Sequence, residues 1–252
     1  GLWGFNGVLV GCGFATFLPN TWLMWVAMIF TAMLSTWVRT GLNNVMAPWK
    51  VNSFTFPFVM LTWIFLFAAR MFDALDPTTL STPELPAVAG MTLDTSFGEL
   101  VKYWLRGISQ VFLVNSWVTG VFFLVALAVS SLWAAAWAAI GSAIALAIAI
   151  LYQANGGDIS AGLFGFSPVL TAIALGCTFY TVNYKSALWA IAGIIATVFI
   201  QACMDVFFEP WGLPTLTGPF CVATWLFLLQ RYTFRKEDPT PDHSNWHSDT
   251  KK

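Results

Sequence analysis

Apolar runs at or near spanning length occupy residues 22–38, 117–130, 132–152 and 187–208. A bilayer core of about 30 Å takes about 20 helical residues, so the shorter runs need a tilt or apolar neighbours. Lipid cannot satisfy free backbone groups, and no strand-like alternation suggests a barrel, so each run predicts a helix. Three further apolar pieces are short: 5–18 stops at Pro19, 54–69 follows polar residues, and 217–229 follows "EPWGLP". Short stretches interrupted by glycine and proline predict broken helices that line a cavity, with tilted or mismatched ordinary helices as the alternative.

Polar segments divide this pattern. Residues 73–96 form a Pro/Thr/Asp-rich loop, and "FGELVKYWLRGIS" after it predicts an amphipathic helix at a membrane surface. From Arg231 the chain is a polar tail, whose Arg231, Arg235 and Lys236 favour a cytoplasmic C-terminus. Composition agrees: 58% of residues are hydrophobic and 9% charged, which places the chain among multi-pass integral membrane proteins. A net charge of −1 gives no reason to expect nucleic acid as a partner; lipid is the partner. Cys12, Cys177, Cys203 and Cys221 lie in apolar stretches without metal or redox spacing and read as core residues. His243 and His247 are both in the tail, so a histidine site in the membrane is excluded.

The chain also repeats itself. "GLWGFNGVL" at 1–9 and "GLFGFSPVL" at 162–170 agree at six of nine positions. "PWKVNSFTFPFVMLTWIFL" from Pro48 and "PWGLPTLTGPFCVATWLFL" from Pro210 agree at nine, including Thr55 with Thr217 and Pro57 with Pro219. The offsets are 161 and 162 residues, so order and spacing are kept and one structural half is duplicated. This predicts a remainder of a first half at 1–72, an extramembrane loop at 73–96, a second half at 97–230 and a tail at 231–252. The material at 97–157 has no first-half counterpart, so about 65–75 residues are expected before Gly1, in keeping with the absent initiator Met. Inverted halves are the arrangement in which broken helices most often surround a midplane site.

No charge occurs within 110–152 or 162–182, and Asp205 and Glu209 read as an interfacial flank rather than a cation site. The duplicated blocks supply phenylalanine, leucine, threonine, glycine and proline instead. Glycine and proline release carbonyls from helical bonding and threonine adds a hydroxyl, so a pore there offers oxygens beside flat apolar walls. That suits a planar, uncharged solute rich in N–H donors, such as urea, while an ion would lose hydration without compensation. Paired carboxylates, a histidine cluster or an activated nucleophile are missing, so an enzyme is not expected, nor a cofactor. No phosphate-binding glycine loop suggests ATP.

At these residues the sequence resembles the urea transporter family, whose members are urea channels. The repeated G-L-x-G-[FY]-N-x-x-L element is seen at 1–9 and 162–170, with Ser167 in place of the usual Asn. L-P-x-x-T-x-P-F is clear in "LPTLTGPF" at 213–220; "VNSFTFPF" at 51–58 lacks the Leu-Pro pair but keeps Thr55, Pro57 and Phe58. "LRGISQVFLVN" at 105–115 is similar to the R-G-[IV]-x-Q element that opens each half. The resemblance implies an all-α membrane fold of two inverted halves with re-entrant or broken helices around one pore per subunit, in a homotrimer, and a bacterial inner-membrane location. It implies a slot for urea, with Phe5 and Leu9 on one wall and Phe166, Leu170 and Leu113 on the other. Thr55 and Thr217 would face urea near the middle, and Gln110 would accept its N–H groups. An aquaporin-like channel for other small neutral solutes is one alternative, although paired Asn-Pro-Ala elements are missing; a non-transporting membrane scaffold is another.

Overall fold

The computed structural model describes residues 3–75 and 93–230. Gly1 and Leu2 of the first repeat block, most of the expected loop at 73–96, and the whole tail at 231–252 with its histidines lie outside the described residues.

Ten helices follow one another among the described residues: α1 Phe5–Phe17, α2 Trp22–Met46, α3 Phe56–Ala69, α4 Phe97–Ser109, α5 Trp117–Ser130, α6 Leu132–Leu151, α7 Gly156–Ala161, α8 Phe166–Ile173, α9 Tyr184–Phe208 and α10 Gly218–Leu228. Three stretches, Trp22–Trp49, Leu132–Leu151 and Tyr184–Trp211, are long and apolar enough to cross a membrane. The segments Phe97–Phe112 and Trp117–Ser130 pass the same test as a pair bent by 71°. Local chemistry sets several boundaries. Thr21, Ser116 and Ser131 accept the otherwise unpaired amides of Met24, Thr119 and Ala134, and so begin α2, α5 and α6.

The expected run at 22–38 belongs to a longer helix, because α2 continues through Arg39, Asn43 and Asn44 to Met46. Its polarity is turned inside out. Trp22, Met33 and Trp37 are 73%, 63% and 72% exposed, whereas Thr31 and Ser35 are 0% and Arg39 5% exposed. Thr31, Ser35 and Arg39 recur every four residues and form one inward stripe. The buried hydroxyls of Thr31 and Ser35 donate to Ala27 O and Ala32 O at 2.7 Å, so burial leaves them satisfied within their own helix. α9 repeats the pattern, with Ser186, Thr197 and Gln201 buried and Leu188, Phe199 and Val206 exposed. Apolar outside and polar inside is the sorting expected when the solvent is lipid.

The duplication extends to the backbone. α2 and α9 start and end 162 residues apart, each is followed by a 3-10 turn (Ala47–Trp49, Glu209–Trp211), and α3 and α10 begin at the same offset. Left-handed residues also recur at this offset: Lys50 with Gly212 (φ 53° and 58°) and Phe54 with Leu216 (φ 48° and 51°). Two chain folds of the same design are therefore present. α1 differs from α8 in one respect: α8 gives way to a widened turn at Ala174–Thr178. There the ring of Trp137 lies so close to Gly176 that a Cβ would sit 2.4 Å from it.

The chain forms two compact units. The first holds the described residues 3–75 with 208–216. Its core joins Leu9, Val10 and Phe14 of α1 to Phe58, Val59 and Leu66 of α3, with Met24, Leu213 and Leu216. Trp63 donates from Nε1 to Pro214 O at 2.8 Å and stacks on Phe208 with ring centroids 4.6 Å apart, while Arg70 Nη2 donates to Gly212 O at 3.0 Å. The second unit holds 93–207 with 217–230 and packs α4, α5, α6 and α8 against one another. Trp104 Nε1 donates to Ala139 O at 2.9 Å and Ser142 Oγ to Trp104 O at 2.7 Å, which ties α4 to α6.

Candidate functional site

In the first unit, Phe5 and Leu9 are one turn apart on α1, with Leu9 buried and Phe5 half-buried. Between them in the turn stands Asn6, fully buried. Its Nδ2 donates to Phe54 O at 3.2 Å, and its Oδ1 accepts from Phe58 N at 3.1 Å. One side chain thus grips both flanks of Thr55. The grip has something to hold: Phe54 has φ 48°, a conformation costly for a residue with a Cβ, and Thr55 follows at φ −91°, ψ 4°. Thr55 is buried at the start of α3, and its hydroxyl does not cap that helix. Pro57 lies in the first turn, where a missing N–H costs nothing.

The second unit contains the same turn in sequence, with Leu216 at φ 51° and Thr217 at φ −87°, ψ 17°, followed by Pro219 and α10. Strain of this kind persists only where its surroundings enforce it, and it concentrates at working sites. Ser167 stands where Asn6 stands in the first unit; its buried Oγ has no hydrogen-bond partner among the described residues. A serine is too short to reproduce a two-sided amide grip.

The second unit also brings Gln110 and Phe166 together. α7 ends at Gly162, whose φ of 77° lets Leu163 N return to Asp158 O at 3.0 Å. The last carbonyls of α7 are taken by two donors one turn apart on α4: Arg106 Nη1 reaches Ser160 O at 2.7 Å, and Gln110 Nε2 reaches Ala161 O at 2.9 Å. Between those donors, Gly107 meets the repeat block glycine to glycine. A Cβ on Gly165 would lie 2.5 Å from Gly107 Cα, and one on Gly162 would lie 2.5 Å from Gly107 N. Phe166 follows Gly165 directly and is buried; Leu170, half-buried, is one turn further along α8. Because Ala161 O demands a donor, the carboxamide of Gln110 is oriented nitrogen-first, which leaves its oxygen as an acceptor. Leu113 closes the turn after Gln110 in the left-handed conformation, φ 59°, half-buried.

Of the predicted residues, Phe5, Leu9 and Thr55 are gathered by the first unit, and Gln110, Leu113, Phe166, Leu170 and Thr217 belong to the second. The family described as Urea transporter matches residues 1–232. The chain belongs to the urea transporter family. It is 35% identical to Urea transporter 1 of Ovis aries over 234 residues, and 34% identical to Urea transporter 1 of Capra hircus over the same length. Urea transporter 1 of Mus musculus is 33% identical over 233 residues. Each match covers 91% of this chain and 60% of the relative, so the chain spans about three fifths of the length of these curated relatives. Membership makes this an all-α membrane protein of a transporter family rather than an enzyme.

Within the urea transporter frame, three residues gain roles that sequence reasoning did not assign. Asn6 and Gly107 sit inside quoted motifs, but only the structure shows what they touch. Arg39 was passed over because it ends an apolar run. Aligning α2 with α9 at the repeat offset would have drawn attention to it, since its counterpart is the buried Gln201.

Proposed function

We propose that the whole protein is a passive, selective channel for urea. The observation that carries this reading is the duplicated turn at Thr55 and Thr217, two threonines held after left-handed residues at the start of short, proline-led helices in a urea transporter chain. Relatives named Urea transporter 1 support the substrate. Urea is flat, with two amide nitrogens that need acceptors and a carbonyl that needs a donor. Phe5, Leu9, Phe166, Leu170 and Leu113 form the apolar walls of a slot that admits a plane and strips it of water. Thr55, Thr217 and the oxygen of Gln110 replace the lost hydrogen bonds one position at a time, so binding stays weak enough for release. An ion finds no compensating charge there. The two halves run in inverted directions, three copies assemble with one slot each, and the protein sits in a bacterial inner membrane with its C-terminus in the cytoplasm. Transport uses no ATP.

The test is stopped-flow urea flux into liposomes carrying the full-length protein, with glycerol and water for comparison. Saturable urea flux, independent of sodium or proton gradients and reduced at least severalfold by Thr217→Val or Phe166→Ala, is expected. Urea permeation equal to that of empty liposomes would refute the channel.

A further inference from the structure

Phenylalanine walls create a problem for a urea slot. An aromatic face attracts cations, and guanidinium is as flat as urea with the same threefold outline, so shape alone does not reject it. We propose that Arg39 is the cation barrier and ring-positioning residue of the Phe5 wall. The proposal rests on the channel reading above.

Three observations support it. Arg39 is 5% exposed and lies about 10 Å inside the C-terminal end of α2, so it does not reach out to water as a flanking arginine would. Its guanidinium carbon stands 4.8 Å from the ring centre of Trp3 and 5.5 Å from that of Phe5, which places a fixed positive charge behind the very ring that would face the solute. The second unit shows that the fold itself does not need this charge. At the equivalent position Gln201, also buried, donates from Nε2 to Leu163 O and ties helix to loop as a neutral group. A buried ionisable residue within a spanning helix is costly and marks function.

The charge acts in two ways. It occupies the π cloud of Phe5 from one side, which fixes the ring plane. It also opposes any cation on the other side, at a distance where two unit charges in protein repel enough to change occupancy on the order of tenfold. Urea, with no net charge, is spared this repulsion.

The experiment uses full-length protein in liposomes, with Arg39→Gln and Arg39→Lys, and measures stopped-flow urea flux beside uptake of radiolabelled guanidinium and methylammonium. Folding is checked by gel filtration in detergent. Arg39→Gln is expected to raise cation uptake on the order of tenfold and to raise the urea concentration for half-maximal flux. Arg39→Lys keeps the charge but not the flat stacking, so it is expected to keep cations out while shifting urea saturation. If Arg39→Gln excludes guanidinium as well as the parent does, or no longer folds, the proposal is overturned and the charge is structural. If the parent itself carries no urea, the channel reading fails instead, and the two failures are distinguished by the parent's own flux.

Discussion

Replacing Gly165 by alanine tests the contact that brings Gln110 and Phe166 together. The added Cβ would sit 2.5 Å from Gly107 Cα and 3.2 Å from Gly107 C. Carbon atoms rest at about 3.5–4.0 Å, so α4 and the start of α8 must part by about 1 Å. Neither atom is a side chain that could rotate away, and Gly165 has φ −87°, so backbone strain at the glycine itself contributes nothing. Overpacking costs about 1–3 kcal/mol, and a backbone-to-backbone clash belongs at the upper end. For a chain of this size that corresponds to a loss of roughly 5 °C or more in Tm. Gly41→Ala is the matched control: it lies in the exposed middle of α2 with nothing within 4 Å of the new Cβ. Removing a helix glycine there is expected to stabilise by up to about 1 kcal/mol. Thermal unfolding of both variants in detergent, followed by loss of the monodisperse gel-filtration peak, gives the comparison. A Gly165→Ala chain as stable as Gly41→Ala would refute the glycine-to-glycine crossing.

Asn6→Ala leaves Phe54 O and Phe58 N without their shared partner, at a cost of about 1–3 kcal/mol, and frees the strained turn before Thr55. Urea flux should fall further than stability alone explains, whereas Ser167→Ala, which removes an unpartnered hydroxyl, should leave Tm unchanged or higher. Gly212→Ala puts a Cβ where φ is 58° and is expected to lower stability by about 1 kcal/mol, readable as a lower Tm.

Much of this architecture was legible before the fold. The apolar runs named α5, α6 and the length of α9 closely, because a membrane helix needs no partner to be recognised: its length and composition answer to the bilayer. The short pieces were also legible, since Pro19, Pro57 and Pro219 punctuate the chain where helices must stop or start. α2 was read too short. Its apolar run stopped at Arg39, but a charge ends a helix only if it must reach water, and here aromatic rings receive it.

Duplication was determined by the sequence alone, since two blocks in the same order at offsets of 161 and 162 residues need no coordinates to be seen. So was membrane residence, because composition is a property of the chain. What Asn6, Gly107 and Arg39 do was decided only by tertiary structure. Each acts on residues far along the chain or across a helix turn: an amide bracketing a turn 48 residues away, a glycine admitting another backbone, a charge beneath two rings. Residue type says what a side chain can offer, whereas the fold decides which group it meets.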